Sequence, residues 1–168
     1  DSALGGHDYD RALAQHLLEQ AGVQATTPAD KAAVKIAARS IKEQLTDEDR
    51  VEALLPLSTG EVRVPVTRAD FERVTADLTQ RTLAAVRKAL RDAKLSREEV
   101  QGVVLVGGAT RMPQVRRAVA DFFGRGPLTN LNPDEVVALG AAVQANSLAG
   151  NDAGGDLLLV DVIPLCLG

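Results

Sequence analysis

The sequence predicts a layered α/β or α+β domain, and three observations carry that prediction. Apolar residues recur at helical spacing behind recognisable caps. Two short Val- and Leu-rich segments flank Ser58-Thr59-Gly60. A run of apolar residues, Val103 to Val106, leads through Gly107-Gly108 towards a helix start at Pro113. The order of helices, hairpin, helices, strand, helix and helix can bury its apolar faces only by stacking in layers. A chain of 168 residues is long enough for one core without staples.

Taken in order, Leu4-Gly5-Gly6 is a turn, and Asp8 opens a helix that carries Tyr9, Leu13 and Leu17 on one side and stops near Gly22. Thr27 offers an N-cap, with Pro28 at the first helical position and Asp30 in the first turn. Val34, Ala38, Ile41 and Leu45 then trace an apolar stripe. Lys35, Arg39, Lys42 and Thr46 share an adjoining face, within about 60° of one another at the helical angle per residue. Val51 to Leu57 and Val62 to Val66 read as a hairpin. Thr67 with Asp70 forms a capping box for a helical region reaching about Ala93, and Ser96 with Glu99 forms another. Val103 to Val106 shows no alternation, as expected of a strand covered on both faces. Pro113 opens a helix through Val115, Val119 and Phe122 to Gly124. Asn132-Pro133-Asp134-Glu135 caps a last helix from Val136 to about Leu148, and the composition of Ala149 to Asp156 is that of a flexible linker.

Composition narrows the function classes. Hydrophobic residues make up 45% of the chain, mostly Ala, Val and Leu, and the aromatic set is Tyr9, Phe71, Phe122 and Phe123, so the core is expected to be aliphatic. A net charge of -4 without a long basic run argues against nucleic-acid binding, which rests on neutralising phosphates. Cys166 is alone, which excludes an internal disulfide and a C-x-x-C metal pair and fits a reducing cytoplasm. No signal peptide and no membrane-spanning apolar run is visible. His7 and His16 lack Cys or carboxylates at ligand spacing, so no metal site is expected from them.

Two features can carry chemistry. Gly107-Gly108 follows a strand and precedes a helix, where open α/β sheets bind ligands and helix N-termini present N–H groups to anions. The pattern is neither the Rossmann fingerprint nor a P-loop, and a plain turn explains it equally well. Arg111 beyond it either stacks on a planar base, worth roughly 0.5 to 2 kcal/mol, or is an ordinary surface arginine. The Lys35, Arg39, Lys42 and Thr46 face is either solvated or a contact for sugar hydroxyls and phosphate. Residue chemistry alone therefore leads to an α/β domain with a possible anion or nucleotide crevice.

Four motifs in order say more. LGGHDYD (Leu4 to Asp10), VVLVGGATRMPQV (Val103 to Val115), NPDEVVALGAAVQA (Asn132 to Ala145) and the tail DLLLVDVIPLCLG (Asp156 to Gly168) resemble the ATPase domain of the DnaK-type heat-shock chaperones. FFGRGPLTNLNPDEVVALGAAVQANSLAG (Phe122 to Gly150), RTLAAVRKAL (Arg81 to Leu90), the short hairpin and DVIPL resemble the branch of that family devoted to iron–sulfur cluster assembly. The resemblance implies lobe II of an actin-like ATPase of ribonuclease H-like fold over residues 1–148, with a small hairpin and helix subdomain at about 23–95. It further implies an interdomain linker at 149–161 and the start of a peptide-binding β-sandwich at 162–168.

The same resemblance implies an adenine-nucleotide cleft for ATP or ADP with magnesium. Gly6 matches a backbone position near the phosphates, Lys42 and Thr46 match residues that reach the adenosine, and Gly107, Gly108 and Ala109 match the loop beneath it. Arg111 matches an arginine packed on adenine, Asp134 matches an acid behind the pocket, and Leu157, Leu158, Leu159, Val160 and Asp161 match the allosteric linker. Five positions depart from the family: His7 replaces an acid, Ala109 replaces Ser, Arg39 stands where many members have Glu, Glu43 stands where some have Arg, and Cys166 replaces a Ser away from the nucleotide contacts.

The phosphate loop of lobe I, its lysine, the catalytic acid and most magnesium contacts are expected upstream of Asp1, so residues 1–168 alone are not expected to hydrolyse ATP. The implied partners are a J-domain co-chaperone and an iron–sulfur scaffold protein as client. Three other readings are a general DnaK-type protein-folding chaperone, a lobe that serves only as an interaction module for co-chaperones or exchange factors, and another actin-like phosphotransferase such as a sugar kinase, against which the tail argues.

Overall fold

The computed structural model describes residues 4–128 and 135–149. The expected roles of Asp134, of residues 149–161 as a linker beyond Ala149, and of 162–168 lie outside those residues. The elements are α1 (Gly6–Ala21), α2 (Pro28–Asp47), β1 (Arg50–Leu57), β2 (Gly60–Thr67), α3 (Arg68–Val74), α4 (Ala76–Ala93), α5 (Pro113–Phe123) and α6 (Val136–Leu148), with single 3₁₀ turns at Arg97–Glu99 and Gly108–Arg111.

Local chemistry sets most boundaries. Gly5 is the N-cap of α1, and Asp8 acts from the third helical position, accepting from the Gly5 amide at 2.9 Å. Gly22 ends the helix in the left-handed region at φ 67°, where a Cβ is penalised. At the start of α2, the Thr27 hydroxyl accepts from the Asp30 amide at 3.0 Å while the Asp30 carboxylate accepts from the Thr27 amide at 3.3 Å. Thr67 and Asp70 repeat this box at α3. The box at Ser96 and Glu99 opens only a 3₁₀ turn.

β1 and β2 form an antiparallel hairpin in which Leu57 pairs with Gly60, leaving a two-residue turn, Ser58-Thr59. Every strand of a two-stranded sheet is an edge, so Pro56 and Pro65 cost no ladder bond that a third strand would need. Burial alternates strictly along β1, and its inner residues Val51, Ala53, Leu55 and Leu57 meet Val64 and Val66 of β2. α1 and α2 cover that face. Tyr9, Leu13 and Leu17 join the predicted stripe Val34, Ala38, Ile41 and Leu45 in one aliphatic cluster that continues to Phe71, Met112 and Val115.

Two predicted elements differ. The helical region after Thr67 is broken at Thr75, whose φ and ψ are -112° and 9°. Its buried hydroxyl donates to the Phe71 carbonyl at 2.6 Å and accepts from the Gln114 side-chain amide at 2.8 Å, and this competition with the helical ladder ends α3. Gln114 belongs to α5, so the break anchors a distant segment. Tyr9 and Thr79 extend the same buried polar chain through a 3.1 Å hydroxyl contact.

The expected buried strand Val103 to Val106 is reduced to one parallel bridge, Val104 with Leu128, and Val104 and Val106 are about half exposed. A doubly covered strand needs neighbours on both edges, and among the described residues only Leu128 supplies one.

Candidate functional site

The C-terminal half of α2, the N-terminus of α1 and the Gly108–Arg111 turn converge on one cleft of about 620 Å³, a size typical of small-molecule sites. Gly6, Lys42, Thr46, Gly108, Ala109 and Arg111, six of the predicted site residues, line it. These positions are distant in sequence, and the shared core of α1, α2 and the hairpin brings them together. Gly107 lies just behind the lining, and Asp134 is outside the described residues. Of the predicted cationic face, Arg39, Lys42 and Thr46 reach the cleft, whereas Lys35 borders a different groove.

Each wall is fixed by identifiable bonds. The end of α2 is held by Arg68, whose guanidinium donates to the carbonyls of Leu45 at 2.7 Å and Thr46 at 3.3 Å and pairs with Asp49 at 2.7 Å. Those carbonyls would otherwise lack helical partners, and the cation suits the negative end of the helix dipole. The Thr46 hydroxyl lies 3.4 Å from the Lys42 carbonyl, so its proton is directed back along α2 while its lone pairs remain available. On the facing turn, Gly107 has φ 94° and ψ 154°, and the Thr110 hydroxyl donates to its carbonyl at 2.6 Å. Met112, 2% exposed, plugs the turn into the core, and Ala109 packs against the same cluster. A methyl at position 109 in place of a hydroxyl thus serves packing rather than hydrogen bonding.

Two charge pairs lie within the cleft. Lys42 Nζ lies 2.6 Å from Asp10 Oδ1, with the carboxylate 2% and the lysine side chain 13% exposed. His7 Nδ1 is 3.6 Å from the other oxygen of Asp10. Arg39 Nε donates to Glu43 Oε1 at 3.1 Å. Arg39 and Glu43, read singly as departures, therefore compensate each other, since the exchanged signs preserve a pair one helical turn apart. A Cβ built on Gly6 would meet Lys42 Nζ at 3.5 Å, so the lysine head lies directly over the first turn of α1. The first-turn amides of that helix carry partial positive charge, which favours an anion in the same place.

Sequence reasoning missed Asp10, Asp47 and Met112, all of which line the cleft. For Asp10 a signal existed: with Leu13 and Leu17 it occupies the buried face of α1, where an acid is costly without a partner. A larger groove of about 880 Å³ between α1 and the start of α2, floored by Ala14, Leu18, Val23, Ala25 and Val34, shares only His7 with the cleft and contains none of the predicted site residues. Convergence of polar groups, not volume, identifies the site. Among the described residues no cluster of His, Cys, Asp or Glu is arranged to hold a metal ion, and no helix is long and apolar enough to cross a membrane.

Known proteins resemble the chain along its whole length. The chain is 67% identical over all 168 of its residues to a chaperone protein HscA homolog of Acidovorax sp. (strain JS42), 66% to that of Variovorax paradoxus (strain S110) and 56% over 169 aligned positions to that of Methylobacillus flagellatus. It spans about 27% of the length of these curated relatives. A family model described as Hsp70 protein matches residues 1–168. Matched from its first residue to its last, the chain belongs to the Hsp70 family.

Proposed function

We propose that the cleft is one wall of an adenine-nucleotide site in an HscA-like chaperone, which couples ATP hydrolysis to client binding during iron–sulfur cluster assembly. The observation that carries this reading is the meeting of Gly6, Lys42, Thr46, Gly108, Ala109 and Arg111 on one surface. The groups present suit the ligand. The Lys42 ammonium and the α1 N-terminus favour ribose hydroxyls and phosphate, the Thr46 lone pairs accept from an exocyclic amine, and the open Gly108 backbone admits a flat base beside Arg111.

In this reading residues 1–148 are lobe II, with the hairpin and helix subdomain at about 23–95. Asp134 backs the pocket, Leu157 to Asp161 form the allosteric linker, and 162–168 begin the β-sandwich. Magnesium contacts and the catalytic acid come from other segments of the full-length chaperone. The names of the relatives support the chaperone reading, and a J-domain co-chaperone, an iron–sulfur scaffold client and a cytoplasmic location complete the proposal on the resemblance of the sequence motifs.

The test is calorimetric titration of the full-length protein with ADP. Lys42→Met and Arg111→Ala are each expected to weaken binding about 10-fold, the equivalent of about 1.4 kcal/mol. Unchanged affinity in Arg111→Ala would remove the stacking assignment, and unchanged affinity in both variants would remove the site.

A further inference from the structure

We infer that Asp10 is a positioning residue for nucleotide binding: its carboxylate holds the Lys42 ammonium over the first turn of α1, in the place where the lysine meets the ligand. This inference rests on the adenine-nucleotide reading given above.

Asp10 follows Tyr9 on α1 and shares the buried face with Leu13 and Leu17. A carboxylate 2% exposed among aliphatic side chains is unfavourable unless compensated. Its compensation is the Lys42 ammonium at 2.6 Å from Oδ1, supplemented by His7 at 3.6 Å from Oδ2. Among the described residues no hydrogen bond reaches Oδ1, so the ion pair is its compensation.

Such a pair is a poor device for stability, because two apolar side chains of similar size between α1 and α2 would avoid the desolvation of both charges. What the pair does supply is conformational restriction. A lysine head on four flexible carbons has many rotamers, and Asp10 selects the one that lies across the helix. Gly6 and Asp10 are one turn apart on α1. A Cβ at Gly6 would lie in ordinary contact with Nζ at 3.5 Å, so the ammonium rests against this turn, and Asp10 supplies the charge that draws it down. The Lys42–Asp10 contact is an ion pair and not a hydrogen bond of regular geometry, and the lysine carries N–H donors for a ligand in the cleft that it lines. Gly6, Asp10 and Lys42 thus form a single arrangement across two helices, prepared before any ligand arrives.

ADP affinity of the full-length protein, measured by calorimetry in wild type, Asp10→Asn, Lys42→Met and the double variant, tests this. Asp10→Asn is expected to weaken binding about 10- to 100-fold, as misplacement of a binding group does. The double variant is expected to bind no more weakly than Lys42→Met alone, because Asp10 acts only through the lysine. Asp10→Asn leaves a largely buried ammonium unpaired, so Asp10→Glu serves if that variant does not fold. It keeps the charge but shifts it by one methylene, with a smaller loss expected in the wild-type background and none added to Lys42→Met. Unchanged affinity in the Asp10 variants, or the same fold-loss with and without Lys42, would overturn the positioning role while leaving the site intact. Unchanged affinity in Lys42→Met with Arg111→Ala still weakened would also overturn the positioning role, and unchanged affinity in both would overturn the site reading on which it depends.

Discussion

At the scale of single residues, the two glycines of the turn do different work. Gly107 sits at φ 94° with open space where a Cβ would be, so its requirement is conformational. Gly108 has neither a positive φ of that kind nor a neighbour within 4 Å of a built Cβ, so its backbone simply stands open to the cleft. Gly107→Ala is therefore expected to lower stability by about 1–3 kcal/mol, the usual penalty for forcing an L side chain into that region. Gly108→Ala is expected to change it by less than about 0.5 kcal/mol. Urea unfolding of the two variants checks the contrast, and equal losses would mean that the strain at Gly107 has been misjudged. The sequence showed that the backbone bends here, but not which glycine bears the bend. That depends on where Met112 and Ala109 anchor the turn to the core, a tertiary fact.

At the scale of elements, caps and stripes were legible because they are local. The Thr27 and Thr67 boxes and the Val34, Ala38, Ile41, Leu45 stripe all formed as their spacing predicts. The break at Thr75 was not legible, since it depends on Gln114, 39 residues away. Asp30 illustrates a local signal with a distant use. Beyond capping α2, it accepts from the Ser58 amide at 2.7 Å and the Ser58 hydroxyl at 3.0 Å, tying the helix start to the turn between β1 and β2. These donors, the Ser58 amide foremost, lower its pKa from 3.8 to about 2. A depressed carboxylate pKa contributes stability that is complete above the unfolded value and is lost as pH falls through the folded one. The contribution of Asp30 is therefore expected to disappear between about pH 4 and pH 2. Asp30→Asn should be less stable than wild type at pH 7, with the difference shrinking across that interval, as denaturant titrations at each pH would show. Asp70, Glu98 and Glu99 are also lowered and add to the slope of both proteins, so the difference between the two curves is the informative quantity. A constant difference across the interval would mean that Asp30 acts through shape rather than charge.

At the scale of the whole molecule, the chain presents a well-packed half and an unpacked one. α1, α2 and the hairpin share a continuous core, whereas Val104, Val106 and Leu128 near the turn and Leu139, Val143 and Leu148 on α6 are 45% exposed or more, Leu148 reaching 79%. This is why the segment Val103 to Val106 misled: four consecutive apolar residues signal burial on both faces, and the signal says nothing about which part of a protein supplies the cover. The relatives are several times longer, the chain spanning about 27% of them. If the remainder of a full-length chaperone packs on these residues, residues 1–168 produced alone should bind a hydrophobic dye strongly, because scattered exposed apolar residues are normal on a monomer but such a concentration is not. The full-length protein should bind less dye per mole despite its greater surface, and adding charged substitutions Val104→Lys and Val106→Glu should reduce dye binding by residues 1–168 without shifting their unfolding midpoint. A lowered midpoint would show that the two valines already belong to the core of this chain, and undiminished dye binding by the full-length protein would show that no other segment covers them.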